Sequence, residues 1–270
     1  MDNLELLGID KNNIYDYNYV INRIKNKNQF KLSLEADNFD KILNGGFNSS
    51  SVYLIFGSNS SGKTQLCHQV SVKAYQYFLS NQKKENQKSI LYFDTENTFR
   101  PERITELSGF YNLNHKKVLK SILVSRIRSN SILLLSLKNL EEIIKKNSIG
   151  LFLIDSINHH YRFEKGEKDI SYSKTKRNFL EILKKINQIT KKFNLITIIT
   201  AQITPNFIED AFVKELPVAI QFLNHFFTEI IYLSHKKERK YYAHIVNSQK
   251  VPEKRTLYEI TNEGIKDFKI

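Results

Sequence analysis

The feature that most constrains the fold is a loop with two fixed glycines directly after an apolar run. Residues 57–64 read Gly-Ser-Asn-Ser-Ser-Gly-Lys-Thr and follow the apolar residues 52–56. Two glycines separated by four residues and followed by Lys and a hydroxyl residue form the pattern of a phosphate-binding loop. The first glycine permits a sharp turn off a strand, and the second lets the backbone approach a phosphate. The pattern predicts a strand, a loop that binds nucleotide phosphates, and a helix.

Each residue type in this loop has an expected role. Backbone N–H groups between the glycines are expected to cradle anionic oxygens, with help from the positive end of the following helix. Lys63 is expected to reach the β- and γ-phosphates, and the Thr64 hydroxyl to ligate Mg²⁺. The expected nucleotide-binding residues of this segment are Gly57, Ser58, Asn59, Ser60, Ser61, Gly62, Lys63, Thr64 and Gln65.

Strand and helix patterns alternate along most of the chain. Strands are predicted at 52–56, 90–93, 122–124, 151–154 and 195–200, and the main helices at 63–80, 130–146 and 171–192. This alternation predicts an α/β fold with a mostly parallel central sheet, helices on both faces and ligands at the carboxyl ends of the strands. Beyond Gln202 the apolar stretches 226–233 and 241–246 flank a basic tip, which predicts a C-terminal antiparallel hairpin.

Three polar residues stand where predicted strands end. Asp155 closes the strand at 151–154, the position of the acidic residue that helps to hold Mg²⁺ in phosphate-loop enzymes. Glu96 follows the strand at 90–93 and is a candidate base for activating a water molecule. Gln202 follows the strand at 195–200 and is a candidate partner of the γ-phosphate. A solvated loop acid and an amide that caps a strand end are the alternatives for Glu96 and Gln202.

Composition bears on the binding partners and the cellular compartment of the protein. Lys and Arg number 41 against 28 Asp and Glu, for a formal net charge of +13. Charge alone leaves open whether the chain binds a polyanion or carries the Lys- and Asn-rich composition of an AT-rich gene. Cys67 is the only cysteine, which indicates a reducing compartment. No signal peptide or membrane-length apolar run is present, so we expect a soluble, intracellular protein of the cytoplasm and nucleoid, or of the nucleus in a eukaryote, without a membrane partner.

Longer runs around these residues resemble the RadA recombinases, the archaeal and eukaryotic relatives of RecA. Residues 61–69 (Ser-Gly-Lys-Thr-Gln-Leu-Cys-His-Gln) and 93–104 (Phe-Asp-Thr-Glu-Asn-Thr-Phe-Arg-Pro-Glu-Arg-Ile) are similar to the signature runs of that family. The segment 43–47 resembles its glycine turn, and 200–202 resembles its sensor strand. Residues 155–156, followed by 160–164, resemble its metal-site strand and the start of its first DNA-binding loop. The similarity covers about residues 30–268.

The resemblance implies a RecA-type phosphate-loop ATPase core at residues 31–270 with ATP and Mg²⁺ as its ligands. It implies that Lys63, Glu96 and Gln202 act in catalysis, that Thr64 and Asp155 hold the metal, and that Arg103 stacks on the adenine. It also implies two DNA-contacting loops at 162–175 and 203–220. The residues expected to contact DNA there are Arg162, Lys165, Lys168, Lys174, Lys176, Phe207 and Phe212.

Several departures from the family pattern shape the functional expectation. Residues 1–30 are expected to form a short arm, too short for a helix-hairpin-helix domain, and residues 14–19 lack a Phe-x-x-Ala polymerisation motif. Ala219 and Ile220 replace paired glycines, and residues 247–249 (Asn-Ser-Gln) replace an Asp-Ser-Pro run at the shared nucleotide.

A core-only paralogue similar to the archaeal RadB proteins or the eukaryotic recombinase paralogues therefore fits best. The expected function is a weak DNA-stimulated ATPase that binds DNA, preferably single-stranded, in homologous recombination and repair. It would be an accessory to a full-length recombinase or a paralogue. The alternatives are a minimal strand-exchange recombinase and a non-hydrolysing ATP-binding interaction subunit.

Overall fold

The strands in the described part of the chain form one nine-stranded sheet and two two-stranded ribbons. The computed structural model describes residues 29–81, 88–166, 171–206, 213, 215–223 and 225–268. The arm predicted at 1–30 lies almost entirely outside these residues and stays a prediction. The strands are β1 (Lys31–Leu32), β2 (Phe47–Asn48), β3 (Ser51–Gly57), β4 (Ser89–Asp94), β5 (Ile122–Arg126), β6 (Ile149–Asp155), β7 (Ile196–Ala201), β8 (Ile203–Pro205), β9 (Glu215–Pro217), β10 (Glu229–Lys237), β11 (Lys240–Ser248), β12 (Lys254–Thr261) and β13 (Gly264–Asp267).

Helices connect most of the parallel strands. The described helices are α1 (Asp37–Ile42), α2 (Lys63–Asn81), α3 (Pro101–Phe110), α4 (His115–Lys120), α5 (Asn130–Lys138), α6 (Leu140–Asn147), α7 (His159–Gly166), α8 (Tyr172–Phe193) and α9 (Ile220–Leu223). None of the helices in the described part of the chain is both long and apolar enough to cross a membrane.

The large sheet has a parallel body and an antiparallel end. Its strand order is β13-β12-β11-β10-β3-β7-β6-β4-β5. The strands from β10 to β5 pair in parallel, and β10 through β13 pair antiparallel. The predicted α/β class, the mostly parallel sheet and the C-terminal antiparallel hairpin are all confirmed. Because these six strands run in the same direction, the residues at their carboxyl ends lie along one edge of the sheet.

Helices cover both faces of this sheet. Helices α5, α6 and α8 share one apolar cluster with residues of the sheet such as Leu54, Phe93 and Phe152. Helix α2 packs against β3, β4, β6 and β7 on the opposite face. Every residue of β3 and of β6 is buried as a result, and such strands read as continuous apolar runs rather than as alternating ones.

Two predicted segments differ in the structure. The single helix predicted at 130–146 is two helices that meet at Asn139. Leu133, Leu137, Leu140 and Ile144 keep a helical spacing across this break and are all buried, so periodicity does not reveal it. The first predicted DNA-contacting loop, 162–175, is largely helical, because α7 ends at Gly166 and α8 begins at Tyr172.

Candidate functional site

A cleft at the carboxyl ends of β3, β4, β6 and β7 brings together residues that are distant in sequence. Lys63, Thr64, Glu96, Asp155 and Gln202 all line one cavity of about 510 Å³. They lie at the ends of four neighbouring strands of the sheet, which is where the sequence predicts that ligands bind. The remaining lining residues are Asn59, Ser60, Gly62, Gln65, Thr98, Tyr241 and Ile260.

The two glycines of the loop are required by strands that pack against it. A Cβ on Gly57 would lie 2.0 Å from the carbonyl oxygen of Leu233 in the adjacent strand β10. Gly62 has a φ of +95°, which favours glycine, and a Cβ there would lie 2.8 Å from Cδ1 of Ile260. Tyr258 also fixes the loop, because its side-chain hydroxyl donates a hydrogen bond to the backbone carbonyl oxygen of Ser61 at 2.6 Å.

The Lys63 ammonium is held against the loop. Its Nζ donates to the carbonyl oxygens of Gly57 at 2.8 Å and of Ser58 at 2.9 Å. An ammonium has three hydrogens, so one remains for an oxygen in the cleft. Burial lowers the pKa of Lys63, while the carboxylates of Asp155 and Glu96 act in the opposite direction. The side chain is therefore a buried donor that faces two acidic groups.

Asp155 accepts hydrogen bonds from four hydroxyl groups. Its Oδ2 accepts from Thr64 at 2.7 Å, from Tyr92 at 3.0 Å and from Thr98 at 3.2 Å. Its Oδ1 accepts from the buried Thr200. This arrangement fixes the carboxylate beside the start of α2. None of Tyr92, Thr98 and Thr200 was predicted as part of this site from the sequence, although Thr98 lies within the signature run 93–104.

Glu96 is positioned by a loop that Asp94 shapes. The Asp94 carboxylate accepts the backbone N–H groups of Glu96 at 3.2 Å, Thr98 at 3.1 Å and Phe99 at 3.0 Å. The Glu96 carboxylate itself accepts a hydrogen bond from the hydroxyl of Ser156, which follows β6. Glu96 is half-buried at the cleft, which places a carboxylate next to the space that the cavity encloses.

Gln202 is attached to the start of α7 through two consecutive residues. The Asn158 side chain accepts the Gln202 N–H at 2.7 Å and donates to the carbonyl oxygens of Gln202 at 2.9 Å and Val218 at 3.1 Å. The side-chain nitrogen of Gln202 lies 3.1 Å from Nδ1 of His159. A residue of the cleft is thus bonded to the residues that begin α7 and, through Asn158, linked to Val218 in the second segment predicted to contact DNA. Neither Asn158 nor His159 was singled out from the sequence.

Arg103 lies beside the cleft but does not line it. Its guanidinium donates to Gln65 Oε1 at 2.8 Å and to the carbonyl oxygens of Thr261 and Asn262, each at 2.8 Å. It also pairs with Glu106 at 2.9 Å. In the structure Arg103 therefore ties α3 to α2 and to the turn between β12 and β13. Its predicted stacking on an adenine stays a prediction.

The residues predicted to contact DNA are only partly brought together. Arg162 and Lys165 line a second cavity, of about 360 Å³, with residues 203–205 and 216–221. Lys174 and Lys176 lie exposed near the start of α8, where Nζ of Lys176 is 5.4 Å from the ring centre of Phe222. The predicted contacts Lys168, Phe207 and Phe212 lie outside the described residues.

Two exposed aromatic residues and a strained alanine stand out near these segments. Phe163 in α7 is 61% exposed and Tyr172 in α8 is 49% exposed. Each ring offers a face on which a nucleic-acid base can stack. Ala219, at one of the two expected glycine positions, has a φ of +69°, so the backbone keeps the conformation that glycine favours.

The parallel sheet, the loop after β3 and the acidic residues at the neighbouring strand ends define a RecA-type phosphate-loop core. The sequence model of the family described as Rad51 matches residues 25–268, and the chain belongs to that family. Two relatives are each described as DNA repair and recombination protein RadA. The one from Aeropyrum pernix is 29% identical over 266 residues, which cover 97% of this chain and 80% of the relative. The one from Metallosphaera sedula is 32% identical over 241 residues, which cover 88% and 72%.

Proposed function

We propose that the protein is an ATP-dependent DNA-binding protein of homologous recombination and DNA repair. In this proposal it is a weak DNA-stimulated ATPase that assists a full-length recombinase inside the cell. The names of its relatives support the process. The observation that carries the proposal is the bonding of Gln202, which lines the cleft, to Asn158 before α7 and through it to Val218.

The cleft fits a nucleoside triphosphate with Mg²⁺. The glycines leave room for phosphates close to the backbone, Lys63 supplies a buried donor, and the buried Ser61 hydroxyl has no hydrogen-bond partner among the described residues. The described residues contain no group of three or more His, Cys, Asp or Glu side chains placed to hold a metal. Mg²⁺ usually keeps several waters and binds through one or two protein oxygens and the phosphates of its substrate, and the adjacent Thr64 hydroxyl and Asp155 carboxylate supply such oxygens.

In this proposal each residue of the cleft has one task. Thr64 and Asp155 hold Mg²⁺, which when bound neutralises charge on the phosphoryl oxygens. The Lys63 ammonium donates to the β- and γ-phosphates. Glu96 accepts a proton from the attacking water, whose oxygen forms a bond to the γ-phosphorus as the bond to the leaving β-phosphate oxygen breaks.

The second cavity supports DNA binding near the same cleft. Arg162 and Lys165 are cations that can neutralise phosphates, and Phe163 adds an exposed ring beside them. Residues 216–221 form the opposite wall, and Val218 is bonded to Asn158. A change at Gln202 on binding ATP would therefore reach both walls of this cavity through Asn158.

The accessory role rests on the departures in the segments expected to contact a neighbouring subunit. Ser248 accepts the backbone N–H groups of Lys250 at 3.0 Å and Val251 at 2.9 Å, and Gln249 bonds to Thr228 and Phe227. The segment at 247–249 is thus anchored within its own chain. A RecA-like ATPase core at residues 31–270 is part of the same proposal.

The decisive experiment is an ATPase assay with and without single-stranded DNA. We expect DNA to stimulate turnover, and we expect Glu96→Gln to lower the rate by a factor of about 100 while ATP still binds. Absence of stimulation, together with an unchanged rate in Glu96→Gln, would reject the enzyme and leave a non-hydrolysing interaction subunit. Filaments in electron micrographs with ATP and DNA, together with strand exchange, would instead establish a minimal recombinase.

A further inference from the structure

We propose that His159 is a positioning residue that orients the Gln202 amide and so sets the preference of the cleft for a nucleoside triphosphate over a diphosphate. The inference rests on the proposed ATP site and goes one step further, because it assigns a role to a residue outside the cleft. His159 is the first residue of α7 and does not line the cavity that holds Lys63 and Thr64.

The contact between the two side chains has a defined polarity. Nε2 of Gln202 lies 3.1 Å from Nδ1 of His159. An amide nitrogen is a donor only, so Nδ1 must be the unprotonated acceptor of a neutral imidazole. The amide group keeps a second hydrogen, which is available for a phosphate oxygen in the cleft that Gln202 lines. By holding the amide nitrogen of Gln202, His159 determines that an N–H group, and not the carbonyl oxygen, is available to a phosphate in the cleft.

The surroundings of His159 favour the neutral ring. Burial lowers the pKa of His159, and the nearby His160 acts in the same direction, while the Glu96 carboxylate opposes them. The ring also packs edge-on against His160 at 4.9 Å and Phe163 at 5.0 Å between centres. His160 is fixed in turn, since its Nε2 lies 2.8 Å from the carbonyl oxygen of Ile127. A lowered pKa and close packing both maintain the acceptor that Gln202 requires.

The main chain of Gln202 is held independently of His159. Asn158 bonds to both the N–H and the carbonyl of Gln202, at 2.7 Å and 2.9 Å. A change at His159 therefore releases the amide group and leaves the backbone at residue 202 in place. The role of the imidazole can therefore be measured separately from folding. A general loss of structure would lower the affinities for ATP and ADP alike, whereas loss of the amide contact would lower only the affinity for ATP.

Two substitutions at His159 separate its role as a hydrogen-bond acceptor from the packing of its ring. His159→Phe keeps a ring that can pack on His160 and Phe163 but removes the acceptor. His159→Asn removes the ring but places an amide oxygen, an acceptor, close to the position of Nδ1. Gln202→Ala, alone and combined with His159→Phe, measures whether the two side chains act as one unit.

The test measures the dissociation constants of Mg²⁺-ATP and Mg²⁺-ADP by competition with a fluorescent adenine nucleotide. We expect His159→Phe to reduce the preference for ATP over ADP about tenfold, the value of one hydrogen bond to a charged group. ADP affinity should stay within about twofold, a change too small to reflect loss of a hydrogen bond. His159→Asn should retain the wild-type preference, and the double variant should match Gln202→Ala alone.

The outcomes separate the inference from the function on which it rests. If the wild-type protein binds no ATP, the proposed function fails and the inference fails with it. If the wild type prefers ATP but His159→Phe keeps that preference, the inference alone is overturned. It is also overturned if His159→Asn loses as much of the preference for ATP over ADP as His159→Phe does. Additive effects of His159→Phe and Gln202→Ala on that preference would overturn it as well.

Discussion

The hydroxyl of Thr64 donates a 2.7 Å hydrogen bond to Oδ2 of Asp155, although the two residues are 91 positions apart in sequence. Thr64 lies in the first turn of α2 and Asp155 ends β6. In phosphate-loop enzymes a hydroxyl after the loop and a carboxylate at a neighbouring strand end hold Mg²⁺ on the nucleotide, which is the role proposed for this pair. This pair therefore gives the first prediction.

Thr64→Val should weaken ATP binding at least tenfold in the presence of Mg²⁺ and have little effect in its absence. Valine keeps the size of threonine but lacks the hydroxyl that would ligate the metal, and Lys63 is left unchanged to contact the phosphates. Titrations of ATP with Mg²⁺ and with a chelator measure the two affinities.

Thr98→Val is the matched control for this substitution. Thr98 donates to the same oxygen of Asp155, at 3.2 Å, but it does not belong to the phosphate loop or to α2. Its loss should reduce the Mg²⁺-dependent affinity by less than about threefold, in keeping with one neutral hydrogen bond. Equal losses in both variants would show that Thr64 only orients Asp155 and does not hold the metal.

The sequence predicts the framework of this site better than its supporting contacts. The loop at 57–64 and the strand-end positions of Glu96, Asp155 and Gln202 follow from local patterns, because apolar runs and their polar ends are visible along the chain. Tyr92, Thr98 and Thr200 contact Asp155 from three different elements. No local pattern marks such contacts, since they depend on strand order and register.

The contact that requires glycine at position 57 also could not be predicted from a local pattern. The pattern assigns the glycine to a turn, whereas the structure shows the carbonyl of Leu233 2.0 Å from the position a Cβ would take. That contact exists only because β10 pairs in parallel with β3, so that Leu233 lies opposite Gly57. The short helix α7 was also missed, because the expectation of a loop at 162–175 came from a resemblance and not from periodicity.

Gly57→Ala should destabilise the fold by more than about 3 kcal/mol, because a backbone carbonyl cannot move away from the added methyl group without breaking strand pairing. Denaturation with urea measures the change. Gly109→Ala is the control, since nothing lies within 4 Å of a Cβ at that helical position. The control should stabilise the protein by up to about 1 kcal/mol through helix propensity. Similar behaviour of the two variants would contradict the role of Leu233.

Glu229 should make the stability of the fold depend on pH. Its carboxyl is buried at the start of β10, and neither oxygen has a hydrogen-bond partner among the described residues. Burial raises the pKa of Glu229 to about 7, against a smaller opposing effect of Lys250. Below the ordinary pKa of 4.5 the carboxyl is protonated in both folded and unfolded chains. Between 4.5 and about 7 only the folded chain keeps the proton, so the free energy of unfolding falls as pH rises through this window.

Glu229→Gln should remove this contribution, since glutamine has no proton to lose. Relative to wild type, the variant should gain about 3 kcal/mol in unfolding free energy between pH 4.5 and 8. Urea denaturation at several pH values provides the comparison. Glu238→Gln, at an exposed position in the turn between β10 and β11, should follow the wild-type pH dependence. If Glu229→Gln has the same pH dependence as wild type, Glu229 is not protonated in the fold at neutral pH.

The cavity between α7 and residues 216–221 gives the last prediction. Replacing both Arg162 and Lys165 with Ala should weaken binding of single-stranded DNA at least tenfold near 0.1 M salt. The slope of log affinity against log salt should fall by about 1.4, because each phosphate contact with single-stranded DNA contributes about 0.7 to the slope. Fluorescence anisotropy with a labelled oligonucleotide at several salt concentrations gives both quantities.

The matched control for the DNA prediction removes the same charge elsewhere. Lys116 in α4 and Lys145 in α6 are exposed, and neither lines the cavity with Arg162 and Lys165. Replacing both with Ala lowers the net charge by two units, as the first variant does, so it reports the contribution of the overall field. Its salt slope should stay near the wild-type value, because a diffuse field adds few direct phosphate contacts. If the two double variants lose DNA affinity and salt slope equally, DNA binding depends on the net charge of the protein. The cavity beside α7 is then not the DNA-binding surface.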